Sequence, residues 1–119
     1  MIFDEIAPKS FKTGTEIFKD GEEAGDVYFI YKGKVDIVKV IEGEVIKLAE
    51  LGENSIFGEM AMVDNSPRSA TARAADDTWC YVLDKETFKG QLNTLSPFMR
   101  NIYQYLTATI RNNNQKMKG

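Results

Sequence analysis

Apolar and polar positions in the first two thirds of the chain come in short runs broken by glycine. Ile17-Phe18, Val27-Tyr28-Phe29-Ile30-Tyr31, Val35-Asp36-Ile37-Val38-Lys39-Val40 and Val45-Ile46-Lys47-Leu48 are rich in β-branched and aromatic residues. That composition at strand length predicts four strands between Thr15 and Leu48. The breaks at Lys12-Thr13-Gly14, Lys19-Asp20-Gly21-Glu22, Tyr31-Lys32-Gly33-Lys34 and Ile41-Glu42-Gly43-Glu44 suit tight antiparallel connections, with Asp20-Gly21 the strongest turn signal. Ser69 to Ala75 and Thr78 to Leu83 predict two more strands around Asp76-Asp77. Many short strands at even spacing predict a mainly β fold, a double-stranded β-helix or jelly-roll barrel over about residues 11–83, in which closure removes exposed edges.

The period then changes. Asp84 is placed to cap a helix from about Lys85-Glu86 to Leu92, and Ser96-Pro97 opens a second one. Phe98, Ile102, Leu106 and Ile110 recur every four residues, with Met99 and Tyr103 beside them, so the second helix carries an apolar stripe that must pack on something. The C-terminal helices are expected over about residues 85–111, and the polar tail from Arg111 is expected to fray. Phe3-Asp4-Glu5-Ile6 is too short to assign, and Pro8 limits any helix there.

With 119 residues, residues 1–119 are expected to form one domain. A composition 43% hydrophobic and 28% charged is that of an ordinary globular chain. The net charge of -3 lacks the basic field that nucleic-acid affinity draws on, so no direct DNA binding is expected. No run approaches the length of a membrane span, and the acids in Met1 to Ser10 do not fit a secretory leader; a cytoplasmic location is the expectation. The lone Cys80, between Trp79 and Tyr81, cannot form an intrachain disulfide and reads as a buried thiol. Without histidine there is no Cys/His zinc site and no Ser-His-Asp or Cys-His nucleophile system, so neither a metal nor a catalytic residue is assigned and the chain is expected not to be an enzyme.

One segment carries chemistry: Phe57-Gly58-Glu59-Met60-Ala61-Met62-Val63-Asp64-Asn65-Ser66-Pro67-Arg68-Ser69-Ala70-Thr71. Gly58 lets the backbone bend or a ligand approach closely, and Glu59 to Val63 can form a short helical turn whose free amides face an anion. Arg68 offers a multidentate cationic fork, Ser69 a hydroxyl donor, and Glu59 an acceptor for sugar hydroxyls. These groups suit a ribose joined to a phosphate. Equally, Glu59 and Arg68 fit a surface ion pair, Pro67 a plain turn, and Phe57, Met60 and Met62 core or cap positions.

The segment resembles, almost position by position, the phosphate-binding cassette of the cyclic-nucleotide-binding domain family, the type found in the catabolite activator protein and the regulatory subunits of cAMP-dependent protein kinase. The upstream pattern Gly14-Thr15-Glu16-Ile17-Phe18, Asp20-Gly21, Asp26-Val27-Tyr28-Phe29-Ile30 and Gly33-Lys34-Val35 is similar to the same family, extending the resemblance over about Phe11 to Phe88. It implies that Gly58 and the amides around Met60 and Ala61 line the cyclic phosphate, that Glu59 binds the ribose 2'-hydroxyl, and that Arg68 pairs with an exocyclic phosphate oxygen while Ser69 donates a second bond. Ala70 would keep the wall small and Thr71 would start the next strand. Phe57 at the head of the cassette, and Ile46 and Leu48 as apolar contacts to the base, complete the implied ligand-binding set. A proline-glycine or similar pair common before the cassette is replaced here by Glu53-Asn54.

The resemblance further implies a sensor that takes cAMP, with slight preference, or cGMP as ligand and needs no cofactor. Its output would be a homodimer or effector contact through the C-terminal helix. With the sequence ending at Gly119, a DNA-binding helix-turn-helix after the domain is not expected unless the chain is a fragment. The alternative is a protein-interaction or dimerisation module of the same fold that binds no nucleotide.

Overall fold

The computed structural model describes residues 7–59 and 66–118, without the side chains of 107 and 109–118. Phe3 to Ile6 and the turn expected over Glu59 to Val63 therefore lie wholly or mostly outside the described residues. Eight strands are described: β1 (Lys9–Phe11), β2 (Glu16–Phe18), β3 (Val27–Lys32), β4 (Val35–Ile41), β5 (Glu44–Leu51), β6 (Ile56–Phe57), β7 (Thr71–Ala74) and β8 (Thr78–Leu83). Two helices follow, α1 (Lys85–Asn93) and α2 (Pro97–Lys118).

The strands form two antiparallel sheets, ordered β1-β8-β3-β6 and β2-β7-β4-β5. This corrects the expected jelly-roll barrel: no ladder joins the sheets among the described residues, and each keeps two edges. Even strand spacing reports element length and alternating faces, and two stacked sheets satisfy both as well as a closed barrel does. The edges are protected in other ways. Strands β1, β2 and β6 have only 3, 3 and 2 residues, and the longer edge strand β5 carries Glu44, Lys47 and Glu50.

Side chains from both sheets make one core. Tyr28, Ile30, Phe57 and Cys80 from the first meet Val35 and Ala72 from the second. Along β3, Tyr28 and Ile30 point into that core while Val27 faces the other way, as a period of two requires. Val27 and Leu83 form a separate cluster with Phe88 of α1, flanked by Leu92 and by Tyr103 of α2. The helices thus cover one end of the outer face of the first sheet.

Helix starts follow local chemistry. The Asp84 carboxylate accepts from the Thr87 N–H at 2.7 Å, and the Ser96 hydroxyl accepts from the Met99 N–H at 3.2 Å just before Pro97. Helix α2 continues through the polar tail to Lys118, a stretch with neither glycine nor proline to stop it. At the β3–β4 turn, Gly33 has φ +111°, and a Cβ there would lie 2.5 Å from Thr78 Oγ1 and 2.6 Å from the Asp77 carbonyl oxygen, so only glycine fits. Cys80 is fully buried and burial pushes its thiol up to about 11. Among the described residues no helix is long and apolar enough to cross a membrane.

Candidate functional site

Arg68 sits in a cage built by three separate parts of the chain. Its Nη1 donates to the Gly58 carbonyl at 2.9 Å and its Nη2 to the Asp26 carbonyl at 2.7 Å. The guanidinium carbon lies 4.1 Å from the centroid of the Phe18 ring. Its backbone is fixed as well: the Arg68 N–H donates to Glu22 O, and the Gly21 N–H donates to Arg68 O, each at 2.8 Å. The Asp20-Gly21 turn, with Gly21 at φ +88°, brings the β2–β3 connection back against the cassette.

The residue is only 6% exposed. No carboxylate of the described residues stands within ion-pair distance of it. Burial lowers its pKa, while the more distant charges of Tyr28, Asp26, Glu22 and Glu59 act to keep it protonated. The two carbonyl bonds use two of the five N–H donors of a guanidinium. What results is a desolvated, planar cation positioned by neutral groups, which is chemistry suited to an anion with several oxygens.

Gly58 takes φ +85°, and a Cβ on it would lie 2.9 Å from Arg68 Nη1 and 3.0 Å from the Asp26 carbonyl oxygen. Glu59 follows, half-buried. Burial raises its carboxyl above the ordinary range, opposed by its own backbone N–H and by Arg68. Since the folded-state value exceeds the unfolded one, ionisation opposes folding: the penalty is complete above the raised value and disappears as pH falls toward the ordinary carboxylate range. Glu59→Gln is therefore expected to melt above wild type at neutral pH and to lose that advantage as pH falls into the ordinary carboxylate range, as calorimetric scans at several pH values check.

The remaining sequence-predicted residues divide in their placement. Phe57 is buried in the core, stacked on Tyr28 at 5.0 Å between centroids. Ala70 is buried, and Thr71 opens β7 with its hydroxyl accepting from the Asp20 N–H at 3.0 Å. Ser69 is exposed, and its carbonyl accepts from Lys39 Nζ at 2.7 Å; the same ammonium lies 3.3 Å from Asp20. Ile46 is exposed on β5 opposite Lys39, and Leu48 is the extra residue of the bulge between the Ile37–Ala49 and Val38–Lys47 pairs. Met60 and Ala61 lie outside the described residues. Gly58, Glu59 and Arg68 come together, whereas Ile46 and Leu48 lie on the hairpin across β4.

Phe18, Asp26 and Lys39 were absent from the sequence-predicted set. Asp26 contributes a backbone carbonyl, which has no side-chain signature, and the other two arrive by long-range packing. Tyr103 of α2 also stands near Glu59. Its hydroxyl is buried without a hydrogen-bond partner among the described residues, and burial and then the Glu59 charge push it up to about 12.

Comparison with known proteins is consistent over most of the chain. Residues 8–94 match the cyclic nucleotide-binding domain family. The chain is 43% identical over 90 residues to a cAMP-dependent protein kinase regulatory subunit of Debaryomyces hansenii, covering 74% of this chain and 19% of that protein. It is 31% identical over 120 residues to cGMP-dependent protein kinase 2 of Mus musculus, covering 97% of this chain and 15% of that protein. Among solved structures, the EAL enzyme Bd1971 in its cAMP-bound and cGMP-bound forms superposes with TM-scores of 0.80 and 0.81 at 31% identity, in each case over 92% of this chain and 29% of that one. The chain thus spans less than a third of the length of these relatives.

Proposed function

This chain belongs to the cyclic nucleotide-binding domain family, and from that premise we propose that it is a sensing module whose occupancy by cAMP or cGMP regulates what it is attached to or associates with. The observation that carries this reading is Arg68, a buried guanidinium anchored by two carbonyls and a ring yet without a carboxylate partner among the described residues. Its charge is directed to the cyclic phosphate and Glu59 to the ribose hydroxyl, while Gly58 and the amides of Met60 and Ala61 line the phosphate. Ser69, Ala70 and Thr71 close the cassette and Phe57 anchors its head. Ile46 and Leu48 belong to the base side. No preference between the nucleotides is assigned, since similar proteins are named for each.

The module is regulatory and not catalytic, matching 29% of the Bd1971 chain. Residues 1–119 act as one unit, with the strands over about 11–83 as binding body and the helices as output; a cytoplasmic location fits that role. Occupancy shifts the helices only if nucleotide affinity differs between two helix positions. Tyr103 provides the link, packing with Val27, Leu83 and Phe88 while feeling the charge of Glu59. Along α2, Phe98, Met99, Ile102 and Leu106 are exposed, an apolar surface for a second copy or an effector.

Calorimetric titration with cAMP, cGMP and 5'-AMP tests this. One equivalent of a cyclic nucleotide is expected to bind with measurable heat and to raise the melting temperature, with 5'-AMP much weaker. Absence of heat and of thermal shift with both cyclic nucleotides would favour the interaction module instead.

A further inference from the structure

We propose that Phe18 is a positioning residue of the anion site, its ring face holding the plane of the Arg68 guanidinium and thereby setting affinity for the nucleotide phosphate; this rests on the nucleotide-binding reading above. A bulge places the ring. In the β2–β7 pairing, Glu16 faces Arg73 and Phe18 faces Ala72, so Ile17 is an extra residue and both Ile17 and Phe18 pack toward the core.

Behind the ring stands an aromatic layer. Phe18 lies 6.0 Å from Tyr28 and 5.9 Å from Phe57, and those two rings stack at 5.0 Å with 12° between planes. Phe57 directly precedes Gly58, whose carbonyl accepts from Arg68. The same layer therefore sets both the carbonyl that grips the guanidinium edge and the ring that supports its face. Two in-plane hydrogen bonds fix the direction of the fork but leave it free to tilt; contact with a ring face removes that tilt.

A ring also differs chemically from a carboxylate at this position. It attracts the cation through its quadrupole without neutralising it, so the full charge remains available to the phosphate. A carboxylate would compete with the ligand for the same donors.

The test measures cAMP affinity by calorimetry in wild type, Phe18→Leu, Phe18→Tyr, Arg68→Lys and the double variant Phe18→Leu/Arg68→Lys, with thermal melts of each; Phe18→Met replaces Phe18→Leu if the latter does not fold. Leucine keeps apolar bulk without a ring, and is expected to weaken binding about tenfold. Tyrosine restores wild-type affinity. In the Arg68→Lys background the same Phe18→Leu change has less than about a twofold effect, because lysine presents no plane to support. A merely structural Phe18 would lower affinity equally in both backgrounds, which overturns the proposal. Wild-type affinity in Phe18→Leu overturns it too, while leaving the site intact. Failure of wild type to bind overturns the nucleotide reading itself, and the role of Phe18 with it.

Discussion

Arg68→Ala is expected to lower affinity for the cyclic nucleotide about 100- to 1,000-fold. Truncating one member of a buried, hydrogen-bonded charge pair costs roughly 2–5 kcal/mol, because the phosphate would then enter a desolvated site without a countercharge. In wild type, ligand at 100 times Kd adds about 2.7 kcal/mol of stability; in the variant at the same concentration this falls nearly to zero. Calorimetry and nucleotide-dependent melting curves measure both quantities. The free protein should change less, since opposing effects act on it. Alanine removes a desolvated charge, which helps, but leaves the Gly58 and Asp26 carbonyls without their donors and opens a void, which harms. Nucleotide affinity unchanged by Arg68→Ala would remove this residue from the site.

The second large effect is expected from the smallest substitution. Gly58→Ala places a methyl group where Arg68 Nη1 and the Asp26 carbonyl already stand, at 2.9 and 3.0 Å, on a backbone with φ +85° that alanine adopts only with strain. The conformational cost alone is about 1–3 kcal/mol. Relief of the contact must come from the guanidinium or from the Asp26 backbone, and either movement breaks the geometry that faces the phosphate. A drop of about 10 °C in melting temperature, together with at least about tenfold weaker nucleotide binding, is the expected result. Scanning calorimetry and a titration of the folded variant check it. By contrast, an alanine at Gly43, whose added Cβ meets nothing within 4 Å, carries only the cost of positive φ.

These expectations show which parts of the molecule are written locally. The strand Thr78–Leu83 and the helix capped by Asp84 are legible in the sequence because alternation and a capping side chain are short-range signals. Strand β1 at Lys9–Phe11 and strand β6 at Ile56–Phe57 escape, being too short to show a period; β5 extends past Leu48 to Leu51 because Ala49 and Glu50 pair with β4 despite weak strand propensity. Whether the sheets close into a barrel is not legible in the sequence, for a different reason. Strand length and face are properties of a segment, whereas edge pairing is a property of two segments distant in sequence.

The site divides in the same way. Gly58, Glu59 and Arg68 lie within a single run and announce themselves by residue type. The groups that orient Arg68 do not: Phe18 is fifty residues upstream, Asp26 acts through its main chain, and the Glu22–Arg68 and Gly21–Arg68 backbone pairs have no sequence signature. Residue types in the cassette announce an anion, but the cage that aims the cation exists only after the two sheets have packed.

A crystal structure of the protein grown with cAMP examines the central claim most directly. The expected result is an exocyclic phosphate oxygen within hydrogen-bond distance of the Arg68 guanidinium, with the ribose 2'-hydroxyl on the Glu59 carboxylate and the ring of Phe18 still beneath the guanidinium plane. Nucleotide density elsewhere on the fold, with Arg68 bound only to the carbonyls of Gly58 and Asp26, would contradict it.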